Sequence, residues 1–106
     1  MTIKVGLAFN PETSVSQVVP YAEQVDQFTV LSVHPGMQGS NFLPQSLERV
    51  TELRALCPNS VIEVDGGISL ENAKAVADAG ADYLVVGSAL WDDASRIFED
   101  LQALVA

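Results

Sequence analysis

The sequence predicts an α/β domain with a parallel sheet, and three observations lead to this fold class. Four short apolar runs alternate with four helix-like segments along the 106 residues. The runs are nearly continuous in apolar residues, as in strands whose two faces are both covered. No linker, repeat or low-complexity segment interrupts them, so residues 1–106 are expected to form a single domain. This alternation implies parallel strands with right-handed crossovers, either half of an eight-stranded barrel or a small open sheet.

The first half of the chain contains two of the expected strands. Residues 4–9 form an apolar run that is followed by a turn. Thr13 or Ser14 can cap the next helix, which Pro20 should shorten or kink. Residues 27–33 are rich in β-branched and aromatic side chains, which predicts the second strand.

The second helix is predicted by its start signal and its apolar spacing. Pro44 suits a first helical turn. The apolar residues that repeat at helical spacing are Leu47, Val50, Leu53 and Cys57. Pro58 should end this helix, and the third strand then begins at Val61.

The remaining elements repeat the same order. Residues 70–79 are helix-like and Gly80 suits the C-cap, after which residues 83–86 form the fourth strand. Asp92 or Asp93 can cap a last helix. Its expected buried stripe comprises Ala94, Ile97, Phe98, Leu101, Leu104 and Val105.

One carboxylate follows the third strand in the position that α/β enzymes use for catalysis. Asp65 ends the apolar run, Gly66 and Gly67 allow a tight turn, and Ser69 stands where a helix N-cap is expected. Active sites of α/β proteins lie at the carboxyl ends of the strands, close to helix N-termini. The competing interpretation is a structural turn, because Asp-Gly is a common turn dipeptide.

Charge and composition exclude several classes of partner. The formal net charge is -9, and the five basic residues are scattered, so neither nucleic acid nor a membrane surface is an expected partner. An anionic ligand would have to be held by backbone N–H groups. The single Cys57 excludes an internal disulfide and a cysteine metal cluster. No signal peptide or long apolar run is evident, so a cytoplasmic location is expected.

Three glycine-containing turns are expected at the same edge of the sheet, and together they favour phosphate binding over purely structural turns. Their residues are Gly36, Met37, Gln38, Gly39 and Ser40 in the first, Gly66 and Gly67 in the second, and Gly87 and Ser88 in the third.

Four other residues could contribute to the site or to packing. His34 is a general acid, a ligand or a hydrogen-bonded loop residue, and Cys57 is expected to pack in the core. Met37 is an apolar lid or a loop anchor. Glu63 alternates with apolar neighbours and faces either the barrel interior or solvent.

The ordered motifs resemble the C-terminal half of the ribulose-phosphate 3-epimerase family, from its fifth strand to its end. The resemblance covers essentially the whole chain and about half of that family's barrel. It is carried by Gly-Leu-Ala-Phe-Asn-Pro-Glu-Thr at 6–13, Ser-Val-His-Pro-Gly at 32–36, Val-Asp-Gly-Gly-Ile at 64–68, and Ala-Gly-Ala-Asp at 79–82 with Gly-Ser-Ala at 87–89.

The resemblance implies an isomerase of carbohydrate metabolism, in the pentose phosphate pathway, that interconverts ribulose 5-phosphate and xylulose 5-phosphate. Two aspartates would exchange protons on opposite faces of an ene-diolate, with a divalent metal ion (Zn, Fe or Mn) steadying the charge. By this likeness Asp65 is one of the two aspartates, a metal ligand and a substrate contact. The three glycine-containing turns would bind the substrate phosphate.

Two departures from the family pattern bear on activity. The family's phosphate loop usually reads Pro-Gly-Phe-Gly-Gly-Gln, whereas residues 35–40 read Pro-Gly-Met-Gln-Gly-Ser. The family's other aspartate and its two histidine ligands belong to an N-terminal half that these 106 residues do not include. The chain is therefore expected to be inactive alone, as a fragment or a truncated gene product.

Several alternatives remain open at this stage. One alternative is a related hexulose- or allulose-phosphate enzyme, which would use the same chemistry. The alternatives from another functional class are a non-catalytic sugar-phosphate-binding or interaction half-barrel and a purely structural module. Because the first and fourth strands would be sheet edges and the interior face is expected to be apolar, the chain should self-associate or pair with the missing N-terminal half.

Overall fold

The computed structural model describes residues 3–33 and 42–86, together with residues 99, 102 and 103. The strands are β1 (Gly6–Phe9), β2 (Gln27–Leu31), β3 (Val61–Asp65) and β4 (Tyr83–Val85). The helices are α1 (Val15–Val18), which continues into a 3-10 turn at Val19–Tyr21, α2 (Ser46–Leu56) and α3 (Ala73–Ala79). Residues 99, 102 and 103 are helical, and the apolar stripe expected for the last helix lies outside the described residues.

The four strands form one parallel sheet in the order β1-β2-β3-β4, which confirms the predicted fold class. Gly6 is in register with Gln27, and Gln27 with Val61. Each crossover therefore moves the chain one strand along the sheet, as in a (β/α)8 barrel. β1 and β4 are the two edges of the described sheet, as the sequence predicted.

The core lies between one face of the sheet and the helices. Strand alternation places Phe28 and Val30 of β2 on that face, beside Ile62 and Val64 of β3, and all four are fully buried. α2 contributes Val50 and Leu53 to the same cluster, α3 contributes Ala73 and Val76, and Cys57 packs there as expected. Among the described residues, no helix has both the length and the apolarity needed to cross a membrane.

The other face of the sheet, hereafter the open face, is not covered. It carries Gln27, Thr29 and Leu31 of β2 and Glu63 and Asp65 of β3, all of them only partly buried. The expectation that this face would be apolar is only partly right: its centre is polar, whereas Tyr83 and Val85 of β4, in register with Glu63 and Asp65, are apolar and exposed. Side chains alternate between the two faces along each strand, so the few polar residues within the apolar runs of β2 and β3 lie together on this face.

Hydrogen bonds hold the polar side chains of the open face together. Thr29 donates from Oγ1 to Glu63 Oε2 at 2.7 Å, and Gln27 donates from Nε2 to the same oxygen at 3.2 Å. Glu63 therefore lies on the face that a complete barrel would enclose.

The helices follow their sequence signals, with one shift in a boundary. α1 is four residues long and Pro20 lies in the 3-10 turn after it, as the kink prediction required. α3 begins at Ala73, three residues later than residue 70, because the preceding residues form a turn. Gly80 at its C-cap has φ 127°, where a Cβ atom would lie 2.8 Å from Arg54 Cβ.

Arg54 of α2 joins three backbone segments at the amino ends of the strands. Its Nε and Nη2 donate to Gly80 O at 3.0 and 2.8 Å, and its Nη1 donates to Ser60 O at 2.7 Å. Nη2 also pairs with Asp82 Oδ2 at 2.6 Å, and the same oxygen accepts the Ile62 N–H at 2.9 Å. One side chain thus fixes the starts of β3 and β4 relative to α2.

Candidate functional site

The candidate site is the carboxyl edge of the sheet, where β3 ends at Asp65. Asp65 is in register with Leu31 of β2 and Val85 of β4. Its carbonyl accepts the Ser32 N–H at 2.9 Å, so the pairing of β2 with β3 continues one residue past β2. The Asp65 side chain lies on the open face with Glu63 and is partly exposed, so a ligand at this edge could reach it.

Gly66 and Gly67 form the tight turn that the sequence predicted, and both need to be glycine. Their φ angles are 126° and 71°, which side chains rarely tolerate. A Cβ atom on Gly66 would lie 2.8 Å from Val33 Cγ2, and one on Gly67 would lie 2.6 Å from the Phe42 backbone nitrogen. The turn is therefore packed directly against residues on either side of the 34–41 segment.

Ser32 fixes the first half of this turn. It is fully buried, and its hydroxyl donates to Gly66 O at 2.5 Å. Its own carbonyl accepts the Leu43 N–H at 2.8 Å. Sequence reasoning did not single out Ser32, although a small polar residue at the end of an apolar strand is a usable signal.

Asn72 fixes the second half of the turn, and it too was missed. Its Nδ2 donates to Gly67 O at 2.8 Å, and its Oδ1 accepts the Ser69 N–H at 3.0 Å. The Ser69 hydroxyl accepts the Glu71 N–H at 3.3 Å, as an N-cap would, although the regular helix starts only at Ala73. The Ser-x-x-Asn spacing resembles a capping box and could have indicated this arrangement.

The other predicted site residues lie outside the described residues. These are His34, Gly36, Met37, Gln38, Gly39, Ser40, Gly87 and Ser88. Their described neighbours nevertheless share one edge. Val33 and Phe42, on either side of the first turn, pack against Gly66 and Gly67, and Val85, two residues before Gly87, is in register with Asp65.

Arg49 of α2 anchors the β1–α1 loop. Its Nη2 donates to Asn10 O at 2.9 Å and also to Thr13 O, and its guanidinium lies 5.0 Å from the centre of the Phe9 ring. Burial lowers the pKa of Arg49, while the nearby carboxylates of Glu12 and Glu52 act in the opposite direction. No sequence signal links Arg49 to that loop, because Asn10 is 39 positions away from it.

The described residues do not by themselves make a metal site. No group of three or more His, Cys, Asp or Glu side chains is close enough to hold an ion in the parts of the chain that the structure describes. Asp65 offers one carboxylate, and the Glu63 carboxylate already accepts two hydrogen bonds. A divalent ion at this edge would need ligands from elsewhere.

A parallel sheet with outer helices, and a carboxylate followed by a glycine turn at its carboxyl edge, define the chain as part of a (β/α)8-type α/β protein. Within that class, the chain belongs to the ribulose-phosphate 3-epimerase family. The model described as "Ribulose-phosphate 3 epimerase family" matches residues 1–91, which confirms the resemblance drawn from the motifs. This family has the TIM-barrel fold, and the sheet is consistent with part of one.

Curated proteins named ribulose-phosphate 3-epimerase align with most of the chain. The Schizosaccharomyces pombe protein is 42% identical over 87 residues, which are 82% of this chain and 38% of that protein. The Escherichia coli K12 protein is 36% identical over 109 aligned residues, covering 97% of this chain and 48% of that protein. The chain therefore spans less than half the length of these relatives.

Proposed function

We propose that this chain supplies one half of an epimerase active site that interconverts ribulose 5-phosphate and xylulose 5-phosphate, with Asp65 as an acid/base group. The observation that carries the proposal is the position of Asp65, at the carboxyl end of β3 and directly before the Gly66–Gly67 turn. Membership of the epimerase family supports the choice of reaction. We expect the chain to act in the cytoplasm, in the pentose phosphate pathway.

The reaction requires proton transfer on both faces of a planar intermediate. Removal of the proton next to the ketone gives an ene-diolate, and protonation from the opposite side inverts that carbon. Asp65 serves one side. Glu63 is the nearest carboxylate along β3, but it points to the same face of the strand and is held by Thr29 and Gln27. By the family likeness the second aspartate belongs to an N-terminal half-barrel, so these 106 residues alone are expected to be inactive.

The substrate phosphate is assigned to backbone N–H groups. The turns at 36–39, 66–67 and 87–88 contain no basic residue, and the chain carries a net charge of -9. Closely packed glycines expose backbone donors without a side chain in the way, which is how α/β proteins bind phosphate at this edge. Gly36, Met37, Gln38, Gly39, Gly66, Gly67, Gly87 and Ser88 are the proposed contacts.

The divalent metal ion is proposed only for a completed site. Asp65 would be one ligand, and the remaining ligands would come from the complementary half. When bound, the ion would stabilise negative charge on the substrate oxygens. Asp65 itself would take up and return the proton at its carboxylate.

A complementation experiment tests this function. The chain is mixed with a separately expressed N-terminal half of a family relative, and epimerisation of ribulose 5-phosphate is measured. We expect neither half to be active, the mixture to be active, and Asp65→Asn to lose activity. Asp78→Asn, on the exposed side of α3, is the control and should keep it. Equal activity in wild type and Asp65→Asn would contradict the assignment.

The second candidate function is a non-catalytic sugar-phosphate-binding or interaction half-barrel. It is favoured by the lack of a metal-ligand cluster among the described residues. Binding of ribulose 5-phosphate by the chain, with no activity under any complementation, would favour this alternative.

A further inference from the structure

The open face of the sheet lies between two strand edges that have no described partner. β1 pairs only with β2 and β4 only with β3 among the described residues. The outer N–H and C=O groups of such edges are templates for pairing with another chain. The helices cover the opposite face, where Phe28, Val30, Ile62 and Val64 are fully buried.

Large apolar side chains are exposed along both edges. On β4, Tyr83 is 60% exposed and Val85 36%, and ahead of β1, Ile3 is 77% exposed and Val5 52%. A groove of about 360 Å³ at the amino ends of the strands is lined by Val5, Tyr83 and their neighbours on β2 and β3. A contiguous apolar surface of this kind usually marks a protein interface.

We propose that a second copy of this chain covers the open face, with β4 of each copy pairing in parallel with β1 of the other. Rotation by half a turn about an axis along the strands keeps all the strands parallel and closes both seams at once. Four described strands in each copy then give the eight of a closed barrel, which has no edges. Because the chain matches only 38–48% of each relative, two copies have about the length of one complete barrel.

The charges on the open face give this arrangement a signature. Closure brings two copies of Glu63 into one interior, whereas a dimer formed through the helices or through a single edge keeps them apart. Two unit charges roughly 10 Å apart at an effective dielectric constant of about 20 weaken association by on the order of tenfold. Glu63→Gln removes this repulsion and keeps an oxygen that can accept the hydrogen bonds from Thr29 and Gln27.

Sedimentation equilibrium of the chain over roughly 1–100 µM tests the proposal. We expect a monomer–dimer equilibrium that is tightened on the order of tenfold by Glu63→Gln and weakened by a similar factor by Val85→Glu, which adds charge beside Asp65. Asp78→Asn, a charge change on the helical side, is the matched control and should leave the dissociation constant unchanged. Hydrogen exchange should show concentration-dependent protection of β1 and β4, while β2 and β3 report that each variant is folded.

Several outcomes would overturn the proposal. A monomer at all concentrations excludes it, and if that monomer binds a separately expressed N-terminal half of a family relative, the open face belongs to that partner. A dimer that responds to neither Glu63→Gln nor Val85→Glu uses another surface, and open-ended oligomers mean that the seams do not close. The proposal does not depend on the epimerase function, because none of these measurements involves substrate.

Discussion

Thr29 and Glu63 face each other across β2 and β3, and the Thr29 hydroxyl donates to the Glu63 carboxylate at 2.7 Å. Gln27 donates to the same carboxylate oxygen from one side of it. The Oε2 atom of Glu63 is therefore paired on the face that a barrel would enclose. This pair is also the simplest place to measure what the polar network contributes to stability.

Replacing Thr29 with valine should lower the free energy of unfolding by about 1 kcal/mol. The change keeps the shape of the side chain but removes the donor to a charged acceptor, and partial exposure limits the cost. Urea unfolding measures it. Thr51→Val is the matched control, because the Thr51 hydroxyl also donates a hydrogen bond, to Leu47 O on the exposed side of α2. This variant should lower the free energy of unfolding by less than about 0.5 kcal/mol. Equal costs for the two variants would show that the network adds nothing.

Arg54→Lys should destabilise the chain by about 2 kcal/mol. Lysine keeps the charge but cannot donate simultaneously to Gly80 O, Ser60 O and Asp82, as the planar guanidinium does. Lys74→Ala is the control. It removes an exposed pair with Asp78 at 3.5 Å on α3, and should cost at most about 0.5 kcal/mol. If thermal and urea unfolding rank the two variants the other way, Arg54 does not fix the strand starts.

The difference between Leu53 and Leu56 on α2 tests the position of the core. Leu53 is fully buried, so Leu53→Ala should cost about 2–5 kcal/mol by leaving a cavity. Leu56 is 54% exposed, so Leu56→Ala should cost under about 1 kcal/mol. Urea unfolding of the two variants is the comparison. A larger cost for Leu56→Ala would mean that Leu56, and not Leu53, lies on the buried face of α2, which would contradict the structure.

Gly67→Ala should both destabilise the fold and weaken phosphate binding. With φ at 71° and the Phe42 backbone 2.6 Å from the new Cβ atom, the turn has to move, at a cost of about 1–3 kcal/mol. Gly6→Ala is the control, since the closest atom to its Cβ would be in the flexible Gln27 side chain at 3.2 Å, with the Gln27 backbone oxygen at an ordinary contact distance of 3.7 Å. NMR titration with inorganic phosphate, at a temperature where both variants are folded, should show loss of binding in Gly67→Ala alone. Unchanged binding would remove this turn from the proposed phosphate site.

The sequence predicted the elements well because local signals determine them. The order of strands and helices follows from apolar periodicity, and the turn at Gly66 and Gly67 follows from the conformational demand on glycine. The polar centre of the open face was only partly predicted, because alternation left open whether Glu63 faces the barrel interior or solvent, and its partner Thr29 is 34 positions away. The Arg54 contacts with Gly80 and Asp82 could not be read from the sequence, because these residues are 26 and 28 positions away and only the packing of α2 brings them together.

The last prediction is that the chain alone binds no divalent metal tightly. Stable zinc, iron or manganese sites in proteins need three or more well-placed ligands, and Asp65 offers one carboxylate at an edge where the described residues add no cluster. After equilibration with each ion and dialysis, elemental analysis should find far less than one equivalent per chain. Asp65→Ala and the control Asp78→Ala should both give the same low value. The prediction would be contradicted if one equivalent of metal survived dialysis, was lost in Asp65→Ala and persisted in Asp78→Ala. That result would show that Asp65 binds metal together with ligands from the residues that the structure does not describe or from another copy.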